Sequence, residues 1–319
     1  MRSLYLLLIA VTSCVPVFGQ GTIADRVLAA AALIGQGHYQ EAIASLASME
    51  QSSPLGDRER GRVETLLGLA HKDIGHMRDA EQFYEKALVT LARDSRESID
   101  YARALSCMGS LKLETGDSKL GERMLHQAAQ IEDYLHDHAG LATINLHLVG
   151  AAIGRRHWKE AQKHLAAAKT QAVLAGPHAQ ELSVDVEGTT GWLASVTGRT
   201  SEAASAYQDA LDLCKTQYGP RHPLTGWTYL LAGRSSAAKG DVQEGLADMR
   251  AGLNILREAI GTQNAEFLHG ELAYAKVLEQ AGKHPEAEQL HAEASRSLEG
   301  LYQRECVNCT VSVWSLQNR

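Results

Sequence analysis

The apolar positions of this chain fall in stripes at helical spacing rather than in alternation. Within residues 64–87, Leu66, Leu67, Ala70 and Ile74 share one helical face, Gly75 interrupts, and Ala80, Phe83, Tyr84, Ala87 and Leu88 resume the pattern. The stretch predicts two amphipathic helices joined by a tight turn. The interrupting element is a glycine followed four residues later by an acid and then by a small residue. It recurs as Gly37-Glu41-Ala42, Gly75-Asp79-Ala80, Gly198-Glu202-Ala203, Gly240-Glu244-Gly245 and Gly282-Glu286-Ala287. Two copies are degraded: Gly116 is followed by Leu120 and Gly121, and Arg156 replaces the glycine ahead of Glu160 and Ala161. The first positions lie 38, 41, 40, 42, 42 and 42 residues apart. Seven helical hairpins at a near-constant period predict a solenoid, because one hairpin cannot bury its apolar stripe alone.

Each part of the element has a physical task. The glycine ends the first helix, since it takes the left-handed conformation at low cost. The acid sits in the first turn of the second helix, where the helix dipole favours negative charge. The small residue after it is expected where the paired helices approach closely.

Leu67-Gly68, Ala80, Tyr84 and Ala87 together resemble the tetratricopeptide repeat pattern, with Glu64 and His71 standing where that family places Trp and Tyr. The resemblance covers roughly residues 23–300. The connector Tyr218-Gly219-Pro220-Arg221-His222-Pro223, with its longer period, resembles the kinesin-light-chain subtype over about residues 184–300, and Asn264 after Gly261 resembles a decayed copy of it. The resemblance implies an all-α, right-handed superhelix of about seven antiparallel helix pairs over 23–302, whose first helices line a concave, ligand-binding face.

Counting 13, 10, 6 and 3 residues upstream of each turn gives the positions from which that family contacts ligands. Trp192, Trp227 and Arg234 stand out among them as groups able to grip an extended peptide, with Lys276 beside them in the last repeat. Arg62, Lys72 and Arg103 give the inner surface of the earlier repeats a basic character, suited to an acidic or C-terminal carboxylate ligand. The alternative for both tryptophans is packing between neighbouring repeats.

The two ends of the chain read differently. Residues 1–19 have a basic start, an apolar run from Leu4 to Val17 and a Val17-Phe18-Gly19 end, the pattern of a secretory signal peptide. The export reading is periplasmic or secreted. An alternative leader, 1–13, follows from Val11-Thr12-Ser13-Cys14, which is similar to a relaxed lipobox and would place a lipid on Cys14. Only then is a membrane expected as a partner. Residues 303–319 fall outside the repeat and are expected as a tail, docked through Trp314 or frayed. Cys306 and Cys309 in that tail are expected as a local disulfide in an exported chain, with free or intermolecular thiols as the alternative. Cys107 and Cys214, on separate helices, are expected as buried apolar residues.

Charge and chemistry narrow the function. With 38 acidic against 31 basic residues and no basic block, general nucleic-acid binding is excluded. There is no glycine-rich phosphate loop, no nucleophile turn and no His-Glu-x-x-His, and the repeats leave no room for a catalytic domain. The expectation is a non-catalytic adaptor, without cofactor, for a peptide or protein partner. No metal ligand set is assigned. Two alternatives stay open: a self-associating or lipid-anchored envelope scaffold, and metal or small-molecule binding by the His-rich middle, where His126, His136, His138, His147, His157 and His164 crowd together.

Overall fold

The structure, a computed structural model, describes residues 22–52, 54–176 and 179–305, and among these it contains fourteen α-helices and no strand. They pair in order: α1 (Ile23–Gly35) with α2 (Tyr39–Ser52), α3 (Asp57–Asp73) with α4 (Met77–Asp94), α5 (Ile99–Glu114) with α6 (Ser118–Tyr134), and α7 (His138–Gly154) with α8 (Trp158–Leu174). The series continues as α9 (Ala179–Val196) with α10 (Thr200–Gln217), α11 (Pro223–Lys239) with α12 (Val242–Ile260), and α13 (Ala265–Gln280) with α14 (His284–Glu305). The chain is an all-α solenoid of seven hairpins. The leader, with Cys14, and the tail cysteines Cys306 and Cys309 lie outside the described residues.

The turns form as their residue types dictate. All six break glycines take positive φ, from 76° at Gly282 to 120° at Gly240. In the fourth hairpin Arg156 takes the same left-handed conformation at φ 59° with a side chain attached. Replacing it should relieve that strain: Arg156→Gly is expected to stabilise by about 0.5–1 kcal/mol in urea unfolding, the strain relieved exceeding the entropy that glycine adds to the unfolded chain.

The small residue five positions after each break is buried in every hairpin, as Ala42, Ala80, Gly121, Ala161, Ala203, Gly245 and Ala287. Across from it, a second small residue on the first helix makes the approach close. A Cβ on Gly68 would stand 2.5 Å from the Tyr84 ring, and one on Gly233 would stand 2.5 Å from the Gly245 carbonyl oxygen.

The first helices of successive hairpins also touch each other, as α3 touches α5 and α5 touches α7. They are therefore covered on more sides than the second helices. In α5 the run from Ala104 to Leu111 is buried throughout, whereas α6 buries only Gly121, Leu125, Ala128 and Glu132. The first helices form the inner wall and the second helices the outer one. Cys107 and Cys214 are buried free thiols; Cys214 Sγ lies 3.3 Å from the Thr228 hydroxyl.

The sequence pattern alone did not indicate that the winding brings distant hairpins together. The imidazole of His222, at the start of α11, accepts from the Leu224 backbone N–H through Nδ1 (3.1 Å). Its Nε2 therefore carries the proton and donates to the Gly35 carbonyl at the end of α1 (2.9 Å). Asn264, at the start of α13, does the same one hairpin later. Its Oδ1 accepts from Glu266 N–H (2.8 Å) and its Nδ2 donates to the Ile74 carbonyl at the end of α3 (2.7 Å). The first hairpin thus meets the sixth and the second meets the seventh. Ile260 joins the apolar cluster of Val27, Ile34 and Leu67 across the same seam.

Candidate functional site

The inner wall has two chemically different halves. From α3 to α7 its charges are consumed by contacts between hairpins. The Asp100 carboxylate, 4% exposed, accepts from Arg58 Nε and Arg62 Nε, both at 2.8 Å. Lys72 Nζ is buried and reaches Glu114 (2.7 Å) and the Ser110 hydroxyl (3.3 Å). Arg103 donates to Asp137 (3.3 Å), which also caps α7 by accepting from Gly140 N–H (3.1 Å). Lys112 pairs with Glu81. The basic inner surface expected from Arg62, Lys72 and Arg103 is therefore a ladder of ion pairs holding α3, α5 and α7 together. The acids that neutralise it come from the next hairpin, which counting along one helix does not reveal.

Trp192 belongs to the wall's interior. It is 7% exposed within the cluster of Leu146, Val149 and Leu193, and a Cβ on Gly150 would stand 3.3 Å from its ring. The packing alternative holds for this indole.

The second half, on α11 and α13, contains a recess. Trp227, Leu230, Leu231 and Arg234 of α11 face His269, Gly270 and Ala273 of α13 around a recess of about 20 Å³, room for a water or a methyl group. Trp227 is half-buried between two apolar clusters. The Arg234 guanidinium lies against the buried Tyr207 hydroxyl, whose pKa burial pushes up to about 12. Lys276 is exposed on the next turn of α13; burial of its stem and then the nearby Arg234 charge hold its ammonium below the usual lysine range. Burial also lowers the pKa of His269.

Register explains the grouping. Trp227 and His269 both stand 13 residues before their turn glycines, and Arg234 and Lys276 both stand six before. One row is aromatic and one cationic, on adjacent inner helices. His269 is the member that sequence reading passed over, although the same count locates it. Gly270 keeps the floor low, since a Cβ there would meet Leu230 at 2.7 Å.

The His-rich middle does not gather as a metal centre. His138 pairs with Gln171 (2.8 Å), His164 with Asn145 (3.0 Å) and His157 with Glu160 (3.1 Å), and His147 is buried. Among the described residues, the group of three ligand atoms close enough to share an ion lies elsewhere, in the second hairpin.

Comparison with known proteins agrees with this architecture. The tetratricopeptide repeat family matches residues 65–98. No curated protein matches the sequence. Among solved structures, NprR in complex with its cognate peptide NprX superposes with a TM-score of 0.64 at 11% identity, covering 92% of this chain and 84% of that one. Rap protein complexed with Competence and Sporulation Factor gives 0.58 at 12%, covering 88% and 99%. The Cut9 chain of the APC/C hetero-tetramer Cut9-Hcn1 gives 0.60 at 14%, covering 88% and 48%. At these identities the likeness is one of fold. Seven hairpins in register, with a family match on the second, give the chain the fold of a tetratricopeptide-like helical solenoid.

Proposed function

We propose that this protein is a non-catalytic, exported binding module that holds a peptide or protein segment against the α11–α13 stretch of its inner wall. One observation carries the reading. Trp227, Arg234 and His269 line a recess between adjacent inner helices, with Lys276 exposed on the next turn of α13 and its charge near that of Arg234. An indole beside a guanidinium offers apolar area and directed charge together, the pairing enriched at binding hot spots. A chain terminus supplies a carboxylate for the cationic row and a side chain for the recess. The fold-level relatives support the class of ligand, since NprR holds its cognate peptide and Rap is complexed with Competence and Sporulation Factor.

The test uses the tag-free mature chain and a peptide library synthesised as free acids and as C-terminal amides. Binders should prefer the free acid. Trp227→Ala and Arg234→Ala should each weaken them by about 2 kcal/mol, roughly thirtyfold, with little change in melting temperature. Arg62→Ala should do the reverse, lowering stability and leaving affinity alone, because it strips a buried carboxylate of a partner. Binders indifferent to Trp227, Arg234 and Lys276 would move the site off this wall. Mass spectrometry of the mature N-terminus distinguishes cleavage after Gly19 from a lipid on Cys14.

A second reading, self-association, is favoured by a separate observation. Tyr134 and Leu135 end α6, and Val173 and Leu174 lie at the end of α8 one period later; all four are exposed, Tyr134 at 74% and Val173 at 77%. Light scattering across a concentration series tests it, with a constant monomer mass counting against it.

A further inference from the structure

The turn of the second hairpin departs from its counterparts in a way that has a chemical meaning. In five of the hairpins the residue after the break position and the acid three beyond it face each other across the start of the outer helix. Where that first residue is histidine, the pair closes to hydrogen-bonding distance: His38 to Glu41 at 3.1 Å in the first hairpin and His157 to Glu160 at 3.1 Å in the fourth. In the second hairpin the equivalent pair, His76 and Asp79, stands open at 3.8 Å. Asp79 is one methylene shorter than Glu41 and Glu160, and a second imidazole stands beside it. His71 occupies the last turn of α3, at a position that is Leu33 in the first hairpin and Ala152 in the fourth. Its Nδ1 lies 3.7 Å from the same Asp79 carboxylate oxygen.

Neither separation is a hydrogen bond. Both are close to the edge of a tetrahedral coordination sphere, where ligand atoms about 2.0–2.1 Å from an ion stand about 3.3 Å apart. One ligand atom from each of the three residues falls within 4.8 Å of the others. His71 Nδ1 is moreover sealed from solvent and makes no hydrogen bond, so a polar atom aimed at this point lacks a partner. The His71 ring is held in place by stacking on Phe83, at 5.3 Å between centroids and 17° between planes. Its lone pair is therefore directed rather than free to swing away. His76 and Asp79 remain partly exposed, which gives an ion a way in.

We propose that His71, His76 and Asp79 form a binding site for one divalent transition-metal ion of the zinc class, with a fourth position open to water. Two imidazoles and one carboxylate are a donor set suited to zinc, nickel or copper rather than to magnesium or calcium, which take oxygen ligands. The site spans the turn between α3 and α4, so the ion would link the end of the inner helix to the start of the outer one. The same turn carries the Ile74 carbonyl that receives Asn264 from the last hairpin. A bound ion would thus fix the loop on which one of the two long-range seams closes. Sequence inspection misses the set because its members lie on two helices, as His-x4-His-x2-Asp, rather than one turn apart on a single face.

The experiment takes the tag-free mature chain, stripped with chelator, and titrates it with zinc and separately with cobalt(II). One equivalent of zinc is expected, together with the intense visible bands of four-coordinate cobalt and a rise in melting temperature on loading. His71→Ala and Asp79→Asn should each weaken zinc by about tenfold or more. His157→Ala, which removes the fourth hairpin's counterpart of His76, should leave affinity and cobalt bands unchanged. Circular dichroism identifies a variant that fails to fold, and exposed Asp79 supplies the decisive substitution if His71→Ala does so. Absence of stoichiometric uptake overturns the proposal, as does a site whose affinity survives both His71→Ala and Asp79→Asn.

Discussion

His222→Ala combined with Asn264→Ala is expected to lower stability by about 3–5 kcal/mol and to open the superhelix. Each side chain performs two tasks at once. It caps its own helix, a contribution typically near 1 kcal/mol, and it donates to a carbonyl at the end of a helix five hairpins away, worth about another 0.5–1.5 kcal/mol. The double variant loses both seams. An open tetratricopeptide stack is held by contacts between neighbours alone, so its unfolding is a near sum of local terms. Here the seams make the first and last hairpins unfold together, and their loss should broaden the melting transition as well as lower it. Small-angle scattering should show a larger maximum dimension. A variant with native dimensions and a sharp melt would mean that Ile260 and the apolar cluster hold the seam unaided.

The same seam should be acid-sensitive. Burial pushes the pKa of His222 down to about 4, against about 6.5 for an unfolded histidine. The native state therefore holds the neutral ring, and between these values the unfolded chain binds more protons. The contribution is fully present above about pH 6.5, declines as pH falls, and is lost by about pH 4, amounting to roughly 3 kcal/mol. The geometry gives the reason: protonation places a hydrogen on Nδ1, the atom that must accept from Leu224 N–H. In His222→Gln the slope of stability against pH over this range should be smaller than in the parent chain.

Gly245→Val is expected to cost about 3 kcal/mol or more, and to disrupt the sixth hairpin altogether. A Cβ at that position would stand 2.4 Å from the Gly233 carbonyl oxygen and 2.9 Å from the Ala237 Cβ. Backbone cannot swing aside as a side chain can, so the two helices must separate. The contact repeats two turns further along, where a Cβ on Gly252 would meet the Gly226 carbonyl oxygen at 2.5 Å. Separating α11 from α12 therefore strips packing along their whole length, beyond the usual 1–3 kcal/mol of an overpacked core. The control is Gly300→Ala on α14, where an added Cβ meets nothing within 4 Å. Better helix propensity alone should make that variant about 0.5–1 kcal/mol more stable. Equal effects at Gly245 and Gly300 in chemical denaturation would show that backbone contact between α11 and α12 is unimportant.

The sequence by itself determined the repeating unit. Helix spacing, the glycine that ends one helix, the acid that begins the next and the small residue beneath it are local properties, set by residues a few positions apart, and all seven turns fall where they indicate. It also set the register from which Trp227, Arg234 and Lys276 point inward, and with them His269. Only the tertiary structure decided which inward-facing groups are buried or held in ion pairs. Arg62, Lys72 and Arg103 are paired because Asp100, Glu114 and Asp137 arrive from the following hairpin. Trp192 and Trp227 share an inner wall but differ in cover, one packed over Gly150 and the other beside a recess. His222 reaches Gly35, and Asn264 reaches Ile74, because small rotations per hairpin add up around the superhelix. A local pattern repeats without recording that sum, so the encounters between distant hairpins exist only once the chain is wound.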